Sequence, residues 1–197
     1  MSEAARREQI LQAAERLLQH YGPQKTTVAD VAREAGIGVG SVYLEFPSKE
    51  AIVEALSRAR YEAVLEAMRT TMQQPNTSWS ERFANVMQVR LEAYLAQTSS
   101  GVHARDLFHC ANPAVKSASL WFYQEERALL VELLSGGVAA GEFDVADVDI
   151  AAQLILRAYS GFTPPFILCA DQSETRRLAQ AMHDLVLHGV ICRERGR

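Results

Sequence analysis

An all-α fold is predicted by three observations. No stretch alternates apolar and polar residues as a half-buried strand does. Apolar residues recur instead at three- and four-residue spacings, and Gly, Pro and capping signals cut that pattern into about nine helices.

The elements follow in chain order. Ile10, Ala14, Leu17, Leu18 and Tyr21 form the stripe of a first helix, which Gly22-Pro23 ends. Thr27 and Asp30 make a capping pair for a second, stopped by Gly36. A short third runs from Gly38 to about Leu44. After Pro47, Ser48 is placed to cap a long fourth helix. Its stripe is Ile52, Val53, Leu56, Ala59, Ala63, Val64, Ala67 and Met68, and Pro75-Asn76 closes it. Ser78 with Glu81 opens a fifth, with Phe83, Val86, Met87, Leu91, Tyr94 and Leu95 inward, broken at Ser99-Ser100-Gly101. A short sixth is expected from His103 to Ala111. Pro113 suits the first position of a long seventh that reaches Gly141 through Gly136-Gly137. An eighth runs from about Val148 toward Pro164-Pro165, and a ninth from Asp171, with Glu174 three residues on, to about Ile191.

Composition narrows the function classes. With 197 residues and 48% hydrophobic content, the chain can bury a core in one or two domains. A net charge of −4 argues against a non-specific nucleic-acid coat but leaves a local binding face open. Three cysteines without metal spacing (Cys110, Cys169, Cys192) read as reduced thiols. No apolar run approaches the roughly 18 residues of a membrane span, and the start of the chain is polar, so a cytoplasmic protein is expected. His103 and Cys110, seven apart, share a helix face, but His109 faces elsewhere and His183 and His188 diverge, so a metal site is not expected. G-x-S-x-G, P-loop, G-x-G-x-x-G and H-E-x-x-H motifs are lacking, so neither catalytic residues, a metal nor a cofactor is expected.

The best local signals lie in "TTVADVAREAGIGVGSVYLEFPSKEAI", Thr26 to Ile52. Two short helices joined by a glycine turn make a helix-turn-helix, whose second helix enters the major groove. The stretch resembles the DNA-binding segment of the TetR/AcrR family of bacterial transcriptional regulators. The T-x-x-x-x-A-x-x-A-G core, the glycine before Ser41, then Tyr43, Phe46 and Ser-Lys-Glu fall in register. Single short helices and Thr-x-x-Asp caps occur widely, so the resemblance rests on the full set.

The resemblance implies a DNA-binding domain over residues 1–46 and a ligand-binding and dimerisation domain over 47–197, linked by the helix of residues 47–74. It implies DNA contacts from Thr26, Thr27, Gly38, Val39, Gly40, Ser41, Tyr43 and Lys49, with Tyr43 and Lys49 on phosphates. Val28, Val31, Ala32, Ile37, Val42 and Phe46 look like the small core. Three departures from the family pattern stand out: Gly38 replaces a polar cap, Val39 a polar or basic residue, and Glu45 an aromatic or histidine. Glu45 is expected to turn aside toward Lys49 or Arg33, and Val39 suits a thymine methyl.

For the rest of the chain the resemblance implies a homodimer through the last two helices and a small-molecule effector site. Leu178, Met182, Leu185, Val186 and Val190, with Ile150, Leu154, Ala158 and Gly161, supply faces for the dimer. Phe83, Met87, Arg90, Tyr94, Phe108, Trp121, Phe122, Tyr159 and Phe162 are candidates for an apolar or aromatic effector, with plain core as the alternative for each. Arg90 would anchor an anionic group or pair with a carboxylate. The leading expectation is a repressor released from a double-stranded DNA operator by that effector. An activator, a helical small-molecule binder or enzyme that has lost DNA binding, and a protein-interaction module stand beside it.

Overall fold

The computed structural model describes residues 2–98, 112–164, 166–168 and 170–190. Among them lie eight α-helices and no strand: α1 (Glu3–Tyr21), α2 (Val28–Glu34), α3 (Val39–Glu45), α4 (Lys49–Met72), α5 (Trp79–Thr98), α6 (Pro113–Ala139), α7 (Val148–Ala158) and α8 (Gln172–Val190). The all-α expectation is met. The expected sixth helix, His103–Ala111, lies outside the described residues, as do Phe108, Cys110, Cys169 and Cys192.

Local caps set most helix starts. The Thr27 hydroxyl accepts from the Asp30 N–H at 3.2 Å while the Asp30 carboxylate accepts from the Thr27 N–H at 3.0 Å. Ser78 and Glu81 repeat that reciprocal pair at α5. Ser48 caps α4 through the Ala51 N–H, and Asp171 caps α8 through the Glu174 N–H. Each satisfies an amide that the first helical turn leaves without a partner.

Two details differ from the sequence reading. The eighth segment was expected to run helical toward Pro164, but α7 ends at Ala158 and tightens into a 3-10 turn over Tyr159–Phe162. Thr163 is extended at φ −125° and ψ 158°, the conformation that a following proline imposes. In α4, Ala59 and Ala63 are exposed, and the buried face is completed by Ser57, Arg60, Tyr61 and Leu65. Alanine content drew the expected stripe to the wrong side, because a buried arginine is invisible to an apolar count.

The helices form two compact units, one drawn from Met1–Tyr61 and Gln97–Trp121, the other from Glu62–Ala96 and Phe122–Arg197. In the first, Ile10, Ala14 and Leu18 of α1 pack with Val31 and Ala32 of α2, Val42 of α3, Phe46, and Ile52, Val53 and Leu56 of α4. Val28 and Ile37 pack at the edge of this core. In the second, Val64, Leu65, Met68, Phe83, Val86, Met87, Leu91, Leu130, Leu133 and Leu134 are buried. There α6 stays helical through Gly136-Gly137. A Cβ on Gly137 would stand 2.1 Å from the Phe143 ring, and one on Gly136 2.1 Å from the Trp79 ring, so two glycines admit two aromatic rings.

A candidate nucleic-acid interface and a buried polar centre

The turn between α2 and α3 is built by Gly36, whose φ of +66° lies in the left-handed region that favours glycine. Its N–H donates to the Arg33 carbonyl and that of Ile37 to the Ala32 carbonyl, which closes α2 and redirects the chain. Gly38 is extended and leads into α3 with no side-chain cap.

At 100° per residue, Val39, Tyr43, Gly40 and Leu44 share one arc of α3. The structure leaves Val39 42%, Tyr43 52% and Leu44 80% exposed, whereas Val42 and Phe46 are at most 1% exposed. Gly38 and Gly40 are exposed and Ser41 is half-buried. A Cβ on Gly40 would meet nothing within 4 Å, so the fold does not require glycine there.

The charged groups around α3 are arranged differently from expectation. Glu45 does turn aside, but toward Arg6 of α1 rather than Lys49 or Arg33. The Arg6 guanidinium donates to Glu45 Oε1 at 2.6 Å, and the Glu45 side chain is only 5% exposed. Arg7 lies 4.1 Å above the Phe46 ring centroid and donates to the Glu45 carbonyl at 3.3 Å. Arg33 pairs with Asp30, whose carboxyl is held below the usual range chiefly by hydrogen bonds from Thr27. Lys49 is half-buried and its ammonium donates to the Pro23 carbonyl at 2.7 Å. Thr27 is exposed at the start of α2. Thr26, expected at the DNA surface, is instead 2% exposed, and its hydroxyl donates to the Gly22 carbonyl at 2.9 Å. That bond ties the start of α2 to the end of α1, so the Thr26 side chain is structural. Arg6 and Arg7 escape a sequence reading because they sit 38 to 39 residues from their partners.

The second unit encloses a polar centre. Arg90, 2% exposed, forms two hydrogen bonds to Glu126, 3% exposed. Burial, the largest single influence, pulls the Arg90 pKa down, but the charge and hydrogen bonding of Glu126 together with Tyr94 and Tyr159 hold the guanidinium above its ordinary value. The Tyr159 hydroxyl lies 2.6 Å from His183 Nδ1, and their rings stack at 5.6 Å. His183 Nε2 lies 3.4 Å from Gln88 Oε1. A neutral ring with its proton on Nε2 satisfies both bonds, with Tyr159 donating. Burial pushes the Tyr159 phenol up and the His183 imidazole down.

Of the expected effector residues, Phe83, Met87, Arg90, Tyr94, Phe122 and Tyr159 are all buried in this unit. Phe162 is half-buried, with its ring 5.8 Å from that of Tyr159. Trp121 falls in the other unit, where Arg58 lies 4.7 Å over its ring. Glu126, Gln88 and His183 were missed as neighbours of these residues. Among the described residues there is no cluster of His, Cys, Asp and Glu that could hold a metal, and no helix long and apolar enough to cross a membrane.

Residues 10–56 match the model for bacterial regulatory proteins of the tetR family. Over 164 residues, the chain is 29% identical to the HTH-type transcriptional repressor KstR2 of Mycolicibacterium smegmatis, covering 77% of this chain and 75% of its relative. It is 20% identical over 183 residues to the fatty acid metabolism regulator protein of Bacillus subtilis, covering 92% and 94%. Among solved structures, FadR from Bacillus subtilis in complex with stearoyl-CoA matches with a TM-score of 0.73 at 20% identity, covering 92% of this chain and 98% of that one. These relatives are regulators, not enzymes.

Proposed function

The chain belongs to the tetR family of bacterial regulatory proteins, and from that premise we propose a dimeric repressor that a small, largely apolar effector releases from its operator. One observation carries the DNA-reading part: α3 turns Val39, Gly40 and Tyr43 outward while Val42 and Phe46 anchor it from behind. In this reading residues 1–46 bind DNA. Gly38, Val39, Gly40 and Ser41 meet the groove; Thr27, Tyr43 and Lys49 meet phosphates. Lys49 would exchange its bond to the Pro23 carbonyl for a phosphate oxygen, a stronger charge-assisted partner. The rival reading, a helical binder without DNA affinity, rests on Glu45 and Val39. The Arg6–Glu45 pair weakens it, since a neutralised carboxylate no longer repels phosphate.

The dimer is supported by apolar surface on the last two helices. Ile150 and Leu154 are 55% and 60% exposed one turn apart on α7, and Leu178 and Leu185 are 46% and 68% exposed two turns apart on α8. Self-complementary packing of two such faces makes an isologous interface, and sets two reading helices roughly 34–36 Å apart.

For the effector, Phe83, Met87, Tyr94, Phe122, Tyr159 and Phe162 are the apolar and aromatic candidates, and an acidic head group would take the place of Glu126 on Arg90. The stearoyl-CoA in the FadR complex makes long-chain acyl thioesters the first class to screen. Helix α4 contributes to both units and is the natural lever between effector and operator. An effector acts only by binding the non-operator state more tightly, and a coupling of about 1–3 kcal/mol loosens DNA roughly 5–150-fold.

The test is selection of fragments from genomic DNA by the purified protein, then titration of acyl-CoAs of graded length into the complex. Enriched fragments with paired half-sites, released within that range, are expected. Enrichment of single half-sites contradicts the dimer. Complexes indifferent to every acyl-CoA contradict the effector class.

A further inference from the structure

We infer that this protein recognises its operator chiefly through the 5-methyl groups of thymine, read by Val39 and Leu44. The inference rests on the DNA-reading proposal above and goes beyond it to the chemistry of specificity.

Helix α3 is Val39–Glu45, VGSVYLE. It holds no Arg, Lys, His, Asn or Gln, so the bidentate contacts that read purines in the major groove have no donor on it. Its three polar side chains are poorly placed for bases. Glu45, the one group suited to accept from cytosine N4, is bound to Arg6 and 5% exposed. Ser41 is half-buried and lies at the margin of the outward arc. Tyr43 offers a single hydroxyl at the centre of that arc.

The rest of the outward face is apolar. Val39 and Leu44 flank Tyr43 and Gly40, about 140° apart around the helix axis. Among the described residues Leu44 is the most exposed of the large apolar side chains, at 80%. Gly40, with nothing within 4 Å of its absent Cβ, lets both side chains approach a surface closely. The major-groove edge of DNA presents one apolar feature, the thymine methyl. A face of valine and leucine methyls, whose one exposed hydroxyl is that of Tyr43, is more complementary to that feature than to any polar base edge.

The test uses the full chain and a duplex enriched from a random library. Each thymine of the enriched site is replaced in turn by deoxyuridine, which removes the methyl and keeps the pairing edge. Affinity is expected to fall about fourfold for each contacted methyl, the effect of one buried carbon. In a Val39→Ala, Leu44→Ala variant with wild-type melting temperature, thymine and deoxyuridine duplexes are expected to bind alike. Equal binding of both duplexes by the wild type overturns the inference and leaves DNA reading intact. A deoxyuridine penalty that persists undiminished in the variant also overturns it, because the methyl then acts through duplex shape. Failure of any sequence to enrich overturns the DNA-reading proposal together with it.

Discussion

Arg6 of α1 and Glu45 at the end of α3 are joined by a hydrogen-bonded ion pair of 2.6 Å. The pair withdraws the carboxylate of the reading helix from the face that would meet phosphate, leaving its side chain 5% exposed. It also pins the end of α3 to the start of α1. Arg6→Ala is therefore expected to cost about 1–3 kcal/mol, the penalty of a polar group left without its partner. The same variant should lose DNA affinity by at least about fivefold, from the roughly 1 kcal/mol that like charges near 4 Å cost in water. Adding Glu45→Gln should restore most of the affinity. Melting curves and duplex anisotropy measure the two effects separately.

Glycine serves opposite purposes in the two units. Gly40→Ala places a methyl in open space and gains up to about 1 kcal/mol of helix propensity, so the melting temperature should hold or rise while DNA affinity falls. Gly137→Ala gains the same propensity but drives its Cβ to 2.1 Å from the buried Phe143 ring. Overpacking of about 1–3 kcal/mol outweighs the gain, and thermal unfolding should come earlier.

The Arg90–Glu126 pair should respond to single and double replacement in opposite ways. Arg90→Met leaves Glu126 buried without a cation, a loss of about 3–5 kcal/mol. Arg90→Met with Glu126→Leu removes both charges and should recover most of that stability. Denaturant unfolding of the three proteins gives the comparison. If the pair also anchors an acidic effector, the stable double variant should bind DNA but no longer release it.

His183 makes the second unit sensitive to acid. Burial lowers its pKa below the usual value near 6.5, while Asp184 pulls weakly the other way. The unfolded chain then binds a proton that the folded chain refuses, so stability falls as pH drops below about 6.5. Protonation also costs the bond that Nδ1 accepts from Tyr159. The melting temperature should decline from neutral pH to about pH 5, and His183→Gln should flatten that decline.

Local chemistry explains what the sequence made legible. Thr27–Asp30, Ser78–Glu81 and Asp171–Glu174 each place a helix start within four residues, and all three occur as read. The outward arc of α3 follows from its own seven residues. What escaped depends on partners distant in the chain. Arg6 meets Glu45 across 39 positions, and Arg90 meets Glu126 across 36. Thr26 is different: its hydroxyl donates to the Gly22 carbonyl only four residues back, but nothing in the sequence shows that the turn brings the two together. Trp121 and Phe122 are neighbours in sequence yet fall in different units.

The most direct test is fluorescence anisotropy on a duplex enriched from genomic DNA, across a salt series, for the wild type and Tyr43→Ala. Tyr43 is 52% exposed, so its removal should leave the melting temperature unchanged. The account predicts sequence-preferring binding that weakens with salt, and a variant with clearly lower affinity. Enrichment of no sequence, or a Tyr43→Ala protein that binds as tightly as the wild type, would contradict the assignment of α3 as the DNA-reading helix.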